Sequence, residues 1–109
     1  MRLQFLGKET QGGGSPTLFA TDRDTYVVQG WKVPGQVSKV EIPKKLLRHL
    51  EQGTRLGVEM ADTGRDSFML SGAAVTDADA LAQMDIPEHE TCVEVGKLRE
   101  GDADGAATG

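Results

Sequence analysis

The chain has one cysteine, two histidines, four prolines and few aromatic residues, 5% in all. A lone cysteine excludes an internal disulfide framework. Two histidines far apart in sequence, His49 and His89, with Cys92 do not make the clustered spacing that metal sites draw on, so neither metal nor cofactor is expected. The N-terminal MRLQFLGKE has no apolar stretch long enough for a signal peptide or a transmembrane helix, which predicts a cytoplasmic chain with no membrane partner. Scarce aromatics leave Leu, Val and Ile to fill the core, and 14 glycines favour many turns between short strands.

A length of 109 residues with 38% hydrophobic content suffices for one modest core. Charge is unevenly spread: residues 1–58 carry nine Lys/Arg against five Asp/Glu, and residues 59–109 three against twelve. An acidic total lowers the prior for nucleic acid, while the basic first half keeps it open.

Residues 2–8 read as a first strand, followed by a loop at Gln11-Gly12-Gly13-Gly14-Ser15-Pro16. Residues 17–21 and 25–33, rich in β-branched and aromatic side chains, flank the short polar Asp22-Arg23-Asp24 and form a hairpin. Val40 and Ile42 alternate with Lys39 and Glu41 as a half-buried strand, and Pro43 suits the first position of a helix that aligns Leu46, Leu47 and Leu50 before Gly53. Leu56, Val58 and Met60 alternate as a further strand, turned by residues 62–66 into a strand at 67–71. Thr76 is placed to cap a short helix burying Ala78, Leu81 and Ala82. Thr91, Val93 and Val95 make the last strand. The expectation is an α+β, mainly antiparallel single domain over residues 1–98, with about seven short strands and two short helices. A disordered acidic tail at 99–109 should follow. Val40-Glu41-Ile42 and Val93-Glu94-Val95 each follow a proline (Pro34, Pro87) at the same offset, with Lys44 and Lys97 at matching positions beyond. They read either as two edge-type strands of similar patterning, or as an ancient duplication or two strands paired about a local pseudo-symmetry.

Nothing in the chain assembles nucleophilic chemistry. In an extended segment His89 and Cys92 point to opposite faces, and Glu90 and Glu94 disfavour a thiolate. His49, among basic residues, reads as a solvated side chain, and Glu88-His89-Glu90 as a solvated loop. The glycine run ends in Ser15-Pro16 before a strand rather than in the Gly-Lys-Ser/Thr of a phosphate loop. Tyr26 and Trp31 are the candidates for contact with a protein partner, since Gly30 leaves the backbone open to close approach by a partner or another strand.

Several stretches resemble a family of small actinobacterial proteins of unknown function: Phe5-Leu6-Gly7, residues 11–17, Tyr26 to Val33, Val40-Glu41-Ile42-Pro43, and His89 to Val95. Members of that family are often encoded beside helix-turn-helix regulators. The resemblance implies a regulatory role by protein–protein interaction, with a transcription regulator as partner, and supplies no catalytic residues. Residues 39–50 with Gly53-Thr54-Arg55-Leu56 are similar to the swapped-hairpin DNA-binding module of AbrB- and MazE-like proteins, in which this strand, helix and turn form half of an interlocked dimer. That resemblance implies Lys39, Lys44, Lys45 and Arg48 as DNA-facing cations, although here only Glu51 and Gln52 separate Leu50 from Gly53. The expected function is therefore a non-catalytic cytoplasmic accessory protein, acting as monomer or homodimer. An AbrB-like DNA-binding regulator or antitoxin is the alternative.

Overall fold

Alternating side chains on consecutive extended segments dictate a sheet, and the computed structural model, which describes residues 1–10 and 15–99, is built almost wholly from one. Nine strands run in chain order: β1 Leu3–Lys8, β2 Thr17–Thr21, β3 Thr25–Val33, β4 Gln36–Pro43, β5 Thr54–Leu56, β6 Met60–Asp62, β7 Ser67–Ser71, β8 Ala73–Ala74 and β9 Glu90–Arg99. Every pairing between them is antiparallel.

The strands close on themselves. β3 pairs with β4, β4 with β7, β7 runs through Gly72 into β8, β8 pairs with β9, and β9 returns to β3. β2 and then β1 extend one side of the ring, β6 lies beyond β7, and β5 pairs with the far end of β9. The inside is packed with Leu18, Tyr26, Val28, Val40, Ile42, Leu70, Val93 and Val95. A smaller cluster of Phe19, Val27 and Cys92 lies on the opposite sheet face, under Met1, Leu3, Val75, Met84 and Ile86.

Several expectations need correction. There are nine strands rather than about seven, because the strand expected across Leu56, Val58 and Met60 is two and Ala73–Ala74 adds a short one. Gly57 N–H donates to the Gly96 carbonyl at 2.8 Å, leaving β5 on β9 and β6 on β7. The helix expected from Pro43 is a 3₁₀ turn, Lys44–His49, with Pro43 as its cap and Leu46 as its buried residue. One short α-helix remains, α1 at Ala78–Ala82, capped by Asp77 rather than Thr76. It buries Ala80, while Ala78, Leu81 and Ala82 face solvent. The last strand runs to Arg99. The glycine-rich stretch at 11–14 and the tail at 100–109 lie outside the described residues.

Candidate functional site

Two turns have the same chemistry. In Thr21-Asp22-Arg23-Asp24-Thr25-Tyr26 and Thr63-Gly64-Arg65-Asp66-Ser67-Phe68, the aspartate is left-handed, with φ of 60° at Asp24 and 63° at Asp66. Aspartate tolerates that region better than most residues. In each turn the arginine N–H donates to the threonine Oγ1 at 3.1 Å. The hydroxyls at the two ends of each turn bond to one another. A glutamate from a distant strand then accepts from both the arginine and the second hydroxyl: Glu94 from Arg23 and Thr25, Glu41 from Arg65 and Ser67. A lysine three residues beyond that glutamate lies over the aromatic ring, Lys97 at 5.0 Å from the Tyr26 centroid and Lys44 at 5.1 Å from that of Phe68, within cation–π range.

Strand register extends the correspondence. Ala20↔Tyr26 matches Asp62↔Phe68, Tyr26↔Val95 matches Phe68↔Ile42, and Trp31↔Glu41 matches Ala73↔Glu94, all at constant offsets. Gly30 and Gly72 fall on the same position. A Cβ on either would meet backbone, the Glu41 carbonyl at 2.5 Å or the Glu94 carbonyl at 2.7 Å. Strand β4 of the first half therefore pairs with β7 of the second, and β9 of the second with β3 of the first. Reciprocal exchange of this kind is the signature of a two-fold relation. The Val-Glu-Ile and Val-Glu-Val strands occupy equivalent places in this pseudo-symmetric arrangement, although β4 and β9 pair with other strands and not with each other.

The symmetry fails on the outside of the ring. Around β2, β3 and the exchanged β9 the outer face carries Phe19, Val27, Gln29, Cys92 and Glu90, all buried. Its cover is held in place by polar contacts. Gln29 Nε2 donates to Glu90 Oε1 at 2.7 Å and to the Asp85 carbonyl at 3.0 Å, and Glu90 Oε2 accepts from Ser15 N–H. Asp77 caps α1 through the Ala80 N–H and takes the terminal ammonium at 2.8 Å. The equivalent positions around β6, β7 and the exchanged β4 are Ala61, Met69, Ser71, Lys39 and Val37. Ala61 and Ser71 are exposed, Met69 and Lys39 are half-buried. Val37 is 93% exposed where its counterpart Glu90 is 2% exposed. No segment among the described residues covers this second face. A depression of about 370 Å³ lies on it, lined in part by Lys39, Glu59, Ala61, Met69 and Ser71.

Glu41 borders the face. Burial pushes its carboxyl up, but the Ser67 hydroxyl and the Arg65 guanidinium outweigh that and hold it below its ordinary range. It is thus an already neutralised rim. Lys39 has no ion-pair partner among the described residues.

The residues singled out from sequence fall in different places. Trp31 is half-buried beside the open face, opposite Glu41 on β4. Tyr26 is fully buried, its hydroxyl bonded to Thr54 and to the Glu51 N–H, so it offers no surface to a partner. Gly30 does permit close approach, and the strand that approaches is β4. The four cations are not brought onto one surface. Lys39 belongs to the open face of β4, whereas Lys44, Lys45 and Arg48 sit on the 3₁₀ turn. Lys44 is paired with Asp62 at 2.7 Å and Arg48 with Glu9 at 2.8 Å, while Lys45 is exposed.

His49 is not the solvated side chain expected. It packs against the Gly7 backbone and bonds Glu9 at 2.7 Å. Glu90 likewise is no loop residue but the buried start of β9. Cys92 is buried, and desolvation pushes its thiol up to about 11. Met69, Ala61 and Val37 went unremarked in the sequence. Aligning the two turn motifs as well as the two strands would have pointed to them. Comparison of the chain with protein-family models, curated proteins and solved structures finds no match.

Proposed function

We propose that this chain is a non-catalytic, cytoplasmic accessory domain that acts by binding another protein, with the open face around Trp31, Val37, Lys39 and Met69 as its docking surface. One observation carries the reading: of two equivalent sheet faces, the chain covers one with its own α1 region and leaves the other bare. An outward Met and a Trp are the adaptable and high-payload side chains that protein interfaces concentrate. A transcription regulator is the partner class that the family resemblance implies.

DNA binding is the second reading. The interlocked exchange of β4 and β9 is the topology that the swapped-hairpin resemblance implies, here within one chain. Against it, Lys44 and Arg48 already have carboxylate partners, so fewer cations are free to displace counterions from a duplex. Affinity capture from native lysate, read for protein and nucleic acid together, separates the two. The expected result is a protein retained by the wild type, lost with Met69→Asp and insensitive to nuclease. Capture of DNA that is salt-sensitive and lost with Lys44→Glu/Lys45→Glu overturns the protein-binding reading in favour of the DNA one.

A further inference from the structure

Resting on the protein-binding reading, the pseudo-two-fold relation points to the chemistry of the occupant, and we propose that the open face binds a short, acidic amphipathic segment of a partner protein. The covered face shows what such a surface accepts. Its cover is made by Met1 and Leu3 together with the segment from Val75 to Ile86, which puts Val75, Met84 and Ile86 on the sheet. That segment carries Asp77, Asp79 and Asp85 and no Lys or Arg. The strands beneath the two faces share register and spacing, so a segment of similar length and apolar spacing fits the second.

The open face differs from the covered one in a direction that strengthens the choice of sign. Where the covered face has Cys92, the open one has Lys39, a cation lacking a carboxylate partner among the described residues. Glu41 is spoken for by Arg65 and Ser67, so it does not cancel Lys39. Glu59 also lines the depression, so a partner's carboxylate must be placed on Lys39 and away from Glu59. Met69 takes the place of Val27, and its flexible thioether adapts to an apolar side chain laid against it. Val37 and Trp31 extend the apolar ground toward the β3–β4 turn, beside a second depression of about 490 Å³. An incoming carboxylate on the Lys39 side of the depression, with apolar side chains on Met69 and Val37, matches this arrangement.

The test uses the full chain and a synthetic peptide of residues 75–86, blocked at both ends, as the probe. Binding is followed by nuclear magnetic resonance at the Met69 methyl, the Trp31 indole and the amides of β4 and β7. Saturable shifts at those positions are expected. Lys39→Glu should weaken binding by at least about tenfold, since opposed like charges cost affinity. The same variant should gain affinity for a peptide carrying Asp77→Lys, Asp79→Lys and Asp85→Lys, a rescue that a misfolded protein could not show.

No shifts on the open face, or equal binding of acidic and charge-reversed peptides, overturns the proposed occupant. Self-association of the free protein, abolished by Met69→Asp in sedimentation, would also overturn it by making a second copy the occupant. Both results leave the protein-binding reading standing. That reading falls separately, if lysate capture yields no protein whose retention depends on Met69.

Discussion

Adding one methyl group at Gly72 tests the ring closure most directly. This residue joins β7, paired with β4, to β8, paired with β9, and a Cβ there would lie 2.7 Å from the Glu94 carbonyl oxygen and 2.8 Å from Val95 Cγ1. Comfortable contact needs about 3.5 Å, so the backbones must separate by nearly 1 Å. In a ring neither strand can retreat without stretching a ladder on its other side. Overpacking typically costs about 1–3 kcal/mol, and one weakened backbone hydrogen bond adds roughly 0.5–1.5 kcal/mol. Against this stands a gain of about 0.4–1 kcal/mol from the less flexible unfolded chain. Gly72→Ala should therefore destabilise by about 2–3 kcal/mol, lowering Tm by roughly 10–20 °C for a domain of this size. Gly30→Ala, at the equivalent crossing, should cost a similar amount. Gly96→Ala is the control. Nothing lies within 4 Å of its Cβ and its φ is not positive, so it should be neutral or slightly stabilising. Urea titrations of the three variants with a calorimetric Tm check the ranking. If Gly72→Ala is as stable as Gly96→Ala, the close crossing and the closed ring are wrong.

Leu46 is the buried residue of the 3₁₀ turn, and Leu46→Ala should lower the unfolding free energy by about 2–5 kcal/mol, read from the urea midpoint. Cys92, with its thiol raised to about 11 by burial, should react with a disulfide reagent far more slowly in the native chain than in urea. Its native rate should stay low up to about pH 9; thiolate-like reactivity at pH 7 would contradict its placement. The His49 hydrogen bond holds the Glu9 carboxyl below its ordinary value, with burial opposing it and Arg48 assisting. A depressed carboxyl stabilises above its unfolded pKa and loses that contribution as pH falls through the folded one. Wild type should therefore exceed Glu9→Gln in stability at pH 6–7, with the difference shrinking on acidification below the ordinary carboxylate range; a difference that grows with acid would refute the pairing.

Local pattern made most strands legible, because alternation and turn residues are properties of neighbouring positions. It did not reveal partners. Leu56, Val58 and Met60 alternate in sequence, yet the strand splits because its two ends belong to different neighbours, Lys97 on β9 and Leu70 on β7. Glu90 reads as solvated among Glu88 and His89, since the amide that satisfies it, Gln29, is distant in sequence. Leu46, Leu47 and Leu50 have helical spacing, but the segment is a 3₁₀ turn in which only Leu46 is buried. The open face was legible only in part. Trp31 and Lys39 stood out by residue type, whereas Met69 and Val37 gain meaning from their buried counterparts Val27 and Glu90.

The reciprocal exchange of strands also sets the order in which the chain can become a protein. During synthesis the hairpin β2–β3 emerges early, but the strand that pairs along the whole of Thr25 to Trp31 is β9, the last described element to be made. At roughly 5–20 residues per second, that edge waits on the order of several seconds with its hydrogen-bonding groups open. Neither half has a finished sheet to offer before the other arrives, so the emergence of β9, rather than of the first half, starts the clock of folding. The nascent hairpin is the stretch most in need of shelter from stray strands in the meantime.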